Sequence, residues 1–131
     1  MLENKKQNKY AAFPADDKVG RQRFEDMPFD KKLSYSVIAS SSIKADTIKI
    51  SPTGTTFSFT YLGKQYDVQT KLVGEFNVYN ILSAISVVVQ IGVPIEQAIA
   101  SIKTFETVAW RMEHIEHKWA FYFVDFAHTP D

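Results

Sequence analysis

The sequence predicts an α+β fold, as a fragment of a larger protein. In this fold a small antiparallel meander is combined with two helices, a C-terminal hairpin and two short strands near the start of the chain. Three observations predict it. Apolar and polar residues alternate with a period of two over residues 47–72. The period becomes helical between residues 74 and 105, and alternation returns from residue 111.

The first third of the chain predicts two short strands on either side of a helix. Residues 10–13 form a brief apolar run that Pro14 ends. Asp16 and Asp17 follow, and at least one of them is expected to cap the helix that continues from there. Residues 32–39 alternate again and predict the second strand.

The meander predicted over residues 47–72 has one buried aromatic face. Gly54 ends a turn at residues 51–54, where it can take a positive φ. The side chains that share the buried face of the next strand are Phe57, Phe59 and Tyr61.

Two helices are predicted after the meander. Residues 76–91 are apolar almost all round, which predicts a helix buried on most sides. Gly92 fits the position after its last turn, and Pro94 fits the first turn of the next helix. Apolar residues of that second helix follow the i, i+3, i+4, i+7 spacing: Ile95, Ala98, Ile99, Ile102 and Phe105.

The last segment predicts a hairpin, with strands over residues 111–116 and 119–124. The second strand is a continuous apolar run, typical of a strand covered on both faces. His114 and His117 lie three apart on the first strand, so we expect their side chains to point to opposite faces. A zinc site, and any other metal site, is therefore not predicted.

Composition limits the function classes. The 131 residues include 15 acidic and 15 basic ones that cancel, so the chain is not expected to bind nucleic acid. There is no cysteine, which excludes disulfides and fits a reducing cytoplasm. No apolar run approaches the roughly 18–20 residues that cross a bilayer, so we expect a cytoplasmic protein without a membrane partner. The polar start and the stop at Asp131, directly after an apolar strand, are typical of a piece of a longer parent protein.

Five polar residues are candidates for binding a ligand. Asn77 and Asn80 share one side of a helix's first turns and offer the donor and acceptor pairs that match an adenine edge. The alternative is structural: Asn77 caps the helix, and Asn80 bonds a nearby loop. No side chain is assigned a catalytic role.

The other three candidates surround the hairpin. Arg111 could hold a phosphate with its planar guanidinium, or form a surface salt bridge with Glu113 or Glu106. Asp125 follows a strand end, where a carboxylate can accept the hydroxyls of a ribose or cap a loop. His128 could contact a ligand, pack against a loop or, least favoured, act as a general base. The sequence has no G-x-x-x-x-G-K-S/T loop to cradle a triphosphate.

Three segments resemble the motifs of the Mur ligase superfamily, most closely the branch that adds the third amino acid to UDP-N-acetylmuramoyl-dipeptide (the MurE type). The family pattern G-x-F-N-x-x-N corresponds to residues 74–80, G-R-M-E to residues 110–113, and V-D-Y-A-H-T-P-D to residues 124–131. Two positions depart from these patterns: Trp110 replaces a glycine and Phe126 a tyrosine. A further family pattern, N-x-D-D, corresponds to residues 14–17, where Pro14 replaces the asparagine.

The resemblance implies a fragment of an enzyme that uses ATP and Mg²⁺ to join UDP-N-acetylmuramoyl-peptide to an amino acid in peptidoglycan synthesis. Residues 1–107 would be the second half of its central ATP-binding domain, and residues 108–131 the first hairpin of its C-terminal domain. The parent would be an α/β protein, and the short strands near the start of this chain would come from its central parallel sheet. Asn77 and Asn80 would lie near the adenine, with His128 beside the base. Arg111 would contact the phosphates, and Asp125 the ribose.

The resemblance further implies that the phosphate-binding loop lies upstream, so the isolated chain is expected to be inactive and to bind no nucleotide tightly. Trp110 and Pro14 leave open a degenerate module that binds a nucleotide or a partner without catalysis. Two further alternatives are a relative that forms another amide, such as a folylpolyglutamate synthetase, and an unrelated α+β binding domain.

Overall fold

A computed structural model describes residues 9–106, 113–117 and 120–124. These residues form a five-stranded mixed sheet, three helices and a separate two-stranded hairpin, which confirms the predicted α+β class. The strands of the sheet are β1 (Tyr10–Pro14), β2 (Lys31–Ser36), β3 (Ile43–Ser51), β4 (Gly54–Tyr61) and β5 (Lys64–Thr70). The helices are α1 (Lys18–Asp26), α2 (Glu75–Gln90) and α3 (Ile95–Thr104), and the hairpin is formed by β6 (Glu113–His117) and β7 (Ala120–Val124).

The parallel part of the sheet is a β1–α1–β2 unit. β1 and β2 pair in parallel over their whole length, from Tyr10 opposite Lys31 to Pro14 opposite Tyr35. Asp17 is the N-cap of α1, and its carboxylate accepts the Gly20 amide at 2.7 Å. The prediction that one of the two aspartates caps this helix is therefore confirmed.

Gly20 sets how closely α1 approaches β1. A Cβ added at Gly20 would lie 2.1 Å from the carbonyl oxygen of Pro14 and 2.8 Å from its ring. No side chain fits that gap, because non-bonded carbon and oxygen atoms need more than 3 Å. The glycine therefore lets the helix backbone rest directly on the end of the strand.

Gly20→Ala is expected to lower the free energy of unfolding by about 1–3 kcal/mol, because the new methyl group overpacks this contact. At a solvent-exposed helix position the same change would raise the free energy of unfolding by roughly 1 kcal/mol. The sign of the effect therefore shows whether α1 lies this close to β1. Urea unfolding followed by circular dichroism measures it. Gln22→Ala, at an exposed position of the same helix, is the control and is expected to be nearly neutral. A stabilised Gly20→Ala variant would contradict the close approach.

The meander is continuous with the parallel strands. β2 pairs with β3 in parallel through Tyr35 and Ser36, while β3, β4 and β5 are antiparallel neighbours. β3 begins at Ile43, four residues before the predicted start at residue 47. The difference has a physical cause: a bulge between Asp46 and Lys49 carries Thr47 at a φ of 52°, and it interrupts the alternation.

The core lies between the sheet and two helices. α2 packs across β1, β2 and β3, and α3 packs against β5 and α2. α1 covers the opposite face, where Phe13 contacts Phe24 and Phe29. Five large side chains at the centre of the main core are fully shielded from solvent: Ile43, Phe59, Val78, Leu82 and Ile85. The predicted aromatic face of β4 is thus confirmed at Phe59.

The prediction that residues 76–91 are buried on most sides is wrong for the described part of the chain. α2 buries one face, while Phe76, Val87 and Ile91 are 41%, 41% and 59% exposed. The helix lies on the sheet with α3 beside it, and nothing among the described residues covers its outer side. The helix ends as predicted, since Gly92 follows the last turn with a φ of 93°. Pro94 is the N-cap of α3 rather than a residue of its first turn.

The hairpin is confirmed for the described residues, and β6 continues to His117, one residue beyond the predicted end of the strand. β6 and β7 are antiparallel, with Glu113 opposite Val124 and His117 opposite Ala120. Among the helices of the described residues, none combines the length and the apolar character that crossing a bilayer requires.

Candidate functional site

The opening turn of α2 starts at a glycine that no other residue can replace without strain. Gly74 is the N-cap with a φ of 104°, and a Cβ there would lie 2.7 Å from the ring of Phe76. No side chain caps this turn with a hydrogen bond. The turn is closed by the backbone amide of Asn77, which donates to the Gly74 carbonyl oxygen at 3.1 Å.

Asn77 and Asn80 lie on the first two turns of α2 and are hydrogen-bonded to each other. Asn77 Nδ2 donates to the carbonyl oxygen of Val73 at 2.8 Å, and Asn80 Nδ2 donates to Asn77 Oδ1 at 3.4 Å. Asn77 is buried and Asn80 is exposed. The structural alternatives are not realised as stated, because Asn77 is not the N-cap and the observed partner of Asn80 is Asn77 rather than a loop.

Both asparagines line one cavity between the start of α2 and the end of α3, here called the asparagine cavity. Its volume is about 510 Å³, within the range of small-molecule sites. Apolar side chains supply most of the wall. The lining residues are Leu72, Asn77, Asn80, Ile81, Ala84, Ser101, Ile102 and Phe105.

The cavity combines apolar walls with a small number of oriented amide groups. Within the described residues, the two hydrogen bonds leave Asn80 Oδ1 and one amide hydrogen of each asparagine for a ligand. A flat ring that carries a donor beside an acceptor, as adenine does, can bond this pair while its faces contact Leu72, Ile102 or Phe105. The arrangement is suited to bind a heteroaromatic base.

Sequence reasoning did not identify the apolar walls of the cavity. Ile102 and Phe105 were assigned to the core face of an amphipathic helix, yet Phe105 is 47% exposed at the end of α3. A large aromatic residue at the last position of such a pattern is the signal that could have found it. Leu72 carries no such signal.

Asp16 connects this helix to the carboxyl ends of the parallel strands. Its carboxylate accepts the amides of Val37 at 2.7 Å and Ala39 at 2.6 Å, with the Ile38 amide between them at 3.2 Å. It also accepts the hydroxyl of Tyr79, from α2, at 2.7 Å. Asp16 is therefore not a second helix cap but the acceptor at the centre of a four-donor cluster.

The charges of this cluster follow from its hydrogen bonds. Partial burial raises the pKa of the Asp16 carboxyl, but the amides of Val37 and Ala39 and the Tyr79 hydroxyl outweigh it, so the net pKa is lowered. Burial, together with the hydrogen bond to Asp16, raises the pKa of Tyr79 to about 12. At neutral pH the pair is a carboxylate that accepts a hydrogen bond from a neutral phenol.

Arg111, Asp125 and His128 lie outside the described residues, so the structure does not test their predicted roles. Glu106, one suggested salt-bridge partner of Arg111, pairs with Lys71 at 2.9 Å. His114 and His117 are both placed on β6. In residues 9–106, with the two hairpin strands, no group of three or more His, Asp or Glu side chains is arranged to hold a metal ion.

A larger hollow, of about 680 Å³, lies beside the meander and α3. It is lined mainly by polar residues that alternate with the buried ones along β3, β4 and β5, such as Lys49, Thr56 and Gln69. An antiparallel sheet commonly leaves one polar face exposed to solvent. We therefore interpret this hollow as part of the solvent-exposed face of the meander. The asparagine cavity is the better candidate because its polar groups converge.

Residues 1–88 match the family described as "Mur ligase middle domain". This match covers the parallel strands, the meander and most of α2, including both asparagines. The chain therefore belongs to the Mur ligase family.

The similar proteins refine this assignment. Over 132 aligned residues, the chain is 33% identical to "UDP-N-acetylmuramoyl-L-alanyl-D-glutamate--2,6-diaminopimelate ligase" from Halalkalibacterium halodurans, covering 100% of this chain. The chain spans only 27% of that relative's length. The curated relatives with which it shares about a third of its residues are of the MurE type.

Solved structures confirm the fold. MurF from Acinetobacter baumannii superimposes with a TM-score of 0.79 at 17% identity, covering 95% of this chain and 27% of that one. MurF from Thermotoga maritima in complex with ADP gives a TM-score of 0.74 at 16% identity, covering 91% of this chain and 27% of that one. At these identities the likeness concerns the architecture of the chain.

Proposed function

We propose that this chain supplies the adenine-binding part of an ATP-dependent ligase that adds an amino acid to UDP-N-acetylmuramoyl-peptide in peptidoglycan synthesis. The observation that carries the proposal is the hydrogen-bonded pair Asn77 and Asn80 at the wall of the asparagine cavity. Family membership and the names of the relatives support it. Asn80 would bond the edge of the base, and Asn77 would hold Asn80 in place.

The remaining nucleotide contacts are assigned to the segment after the cavity. Arg111 would bind the phosphates, Asp125 the ribose and His128 the base, with a domain boundary between residues 107 and 108. Arg111 follows Phe105, a wall of the cavity, by six residues, and an extended chain of that length reaches about 20 Å. That reach is enough to bring a guanidinium to the mouth of the cavity.

The phosphate cradle and the Mg²⁺ ligands are assigned to other parts of the longer cytoplasmic enzyme. The sequence has no phosphate-binding glycine loop, and the described residues offer no metal-binding cluster. Bound ATP and Mg²⁺ would activate the substrate carboxylate for attack by the amine of the amino acid. The share of this chain is to bind and orient the base.

Titration of the 131-residue chain with adenosine and ADP, followed by ¹⁵N NMR, tests the proposal. We expect millimolar affinity for both, since the base contacts are present and the phosphate contacts are incomplete. The shifted signals are expected to cluster at Asn77, Asn80, Ile102 and Phe105. Micromolar affinity for ADP would contradict the assignment of the phosphate cradle to another segment. Shifts that avoid the cavity would contradict the site itself.

A second candidate is a degenerate Mur-like module that binds a nucleotide or a partner without turnover. Pro14 and Trp110, which stand where the family has asparagine and glycine, favour it. Calorimetry with ADP and an ATP-hydrolysis assay with muramoyl-dipeptide, both on the complete protein, separate the two candidates. ADP binding without hydrolysis would support the degenerate module.

A further inference from the structure

The first two turns of α2 carry the two asparagines, and no side chain caps the start of this helix. Asn77 anchors one side of the turn through its bond to the Val73 carbonyl. Tyr79 lies two residues later, about 200° further around the helix, so it points away from Asn77. Its hydroxyl bonds Asp16 at 2.7 Å, across 63 residues of sequence. The turn is thus held from two sides.

Asp16 is itself fixed from the strand ends. It lies two residues after the end of β1, and its carboxylate is bound by three successive amides, those of residues 37–39, which follow β2. Its lowered pKa keeps the carboxylate charged at neutral pH, and a charged acceptor makes a stronger hydrogen bond to a phenol than a neutral one does. Through Asp16, the Tyr79 hydroxyl is therefore held at the carboxyl ends of the parallel strands β1 and β2.

We propose that Asp16 and Tyr79 are positioning residues of the nucleotide site, because their hydrogen bond fixes the α2 turn that sets the direction of Asn77 and Asn80. This inference rests on the proposed function. Neither residue lines the asparagine cavity, so both act through the asparagines. The consequence is selectivity for the base, since a rotated turn would still offer an apolar cavity but would misdirect the amides.

Tyr79→Phe tests the inference, because it removes one hydroxyl and keeps the ring. The hydrogen exchange of the Asn77 amide and the side-chain NH₂ signals of both asparagines are measured by NMR without nucleotide. The affinities for ADP and GDP are then compared. We expect faster exchange, displaced NH₂ signals and a loss of ADP-over-GDP selectivity of about fivefold or more, the factor that one hydrogen bond carries.

Two further variants make the test decisive. Asp16→Asn keeps the size of the side chain but turns a donor toward the amides of residues 37–39, and it is expected to act in the same direction. Tyr66→Phe, on β5, is the matched control and is expected to change neither readout. A purely structural role would weaken ADP and GDP equally and leave their ratio unchanged.

The outcomes separate this inference from the proposed function. Unchanged asparagine signals and unchanged selectivity in Tyr79→Phe would overturn the positioning role, even if the unsubstituted chain binds ADP with the expected millimolar affinity. A chain that binds neither nucleotide would instead overturn the proposed function. Displaced asparagine signals in Tyr79→Phe but not in Tyr66→Phe, together with reduced selectivity, would support both.

Discussion

Asn80→Ala is expected to weaken the binding of adenosine and ADP about tenfold while leaving the melting temperature of the chain unchanged. Asn80 is exposed, and the one hydrogen bond that its side chain makes within the described residues is the 3.4 Å contact with Asn77. Folding therefore depends little on this side chain. A bound base, in contrast, would lose a donor and an acceptor together, and one hydrogen bond is worth roughly 0.5–1.5 kcal/mol. NMR titration gives the affinity, and thermal unfolding gives the stability.

Asn77→Ala is expected to lower both quantities, with a loss of affinity no larger than that of Asn80→Ala, because Asn77 acts on the base through Asn80. The substitution removes the anchor of Asn80 and leaves the Val73 carbonyl without its side-chain donor. An unsatisfied buried acceptor costs about 1–3 kcal/mol, so stability falls as well. The pair therefore divides into an outer residue that binds the base and an inner residue that positions it and stabilises the fold.

Gln97→Ala is the control for both asparagine variants, because it removes an exposed amide from α3 without changing the cavity wall. It is expected to leave affinity and stability unchanged. Equal affinities for Asn80→Ala and Gln97→Ala would reject the asparagine cavity as the base site. A large loss of stability in Asn80→Ala would instead assign that residue to the fold.

Periodicity and turn chemistry were sufficient to predict most elements of the fold. The alternation at Phe57 and Phe59 and the glycines at positions 54 and 92 were reliable signals. They reflect local backbone geometry, which depends little on the surrounding fold. The start of β3 was missed because the bulge at Thr47 shifts the phase of the alternation. The burial of α2 was overestimated because apolar composition does not say how many neighbours a helix has.

The candidate site was predictable only in part. Asn77 and Asn80 could be placed together because helical spacing alone brings them onto one side. The bond between Asp16 and Tyr79 was not predictable in this way. It joins residues 63 positions apart, and no local pattern encodes a contact of that separation. The apolar walls of the cavity were not predicted either, because side chains that line a cavity have the same spacing as side chains that fill a core.

Phe59→Ala is expected to have the largest effect on stability, lowering the free energy of unfolding by about 3–5 kcal/mol. Phe59 has no exposed surface, and its ring stacks on Tyr66 with centroids 5.3 Å apart. Phe57 lies beside it, with a centroid distance of 6.5 Å. Removing the ring leaves a cavity where the sheet meets α2, which these neighbours can only partly fill.

Urea unfolding followed by circular dichroism measures this loss, which is a large share of the roughly 5–15 kcal/mol that holds a domain folded. Leu62→Ala is the matched control, because Leu62 is 85% exposed in the turn after the same strand, and it is expected to stay within about 0.5 kcal/mol. Similar midpoints for the two variants would contradict the placement of Phe59 at the centre of the core. Phe59→Ala is also expected to differ from the asparagine variants in its effect on binding. Phe59→Ala should reduce adenosine binding only in proportion to the unfolded fraction, because its ring supports the sheet under α2 and does not line the cavity.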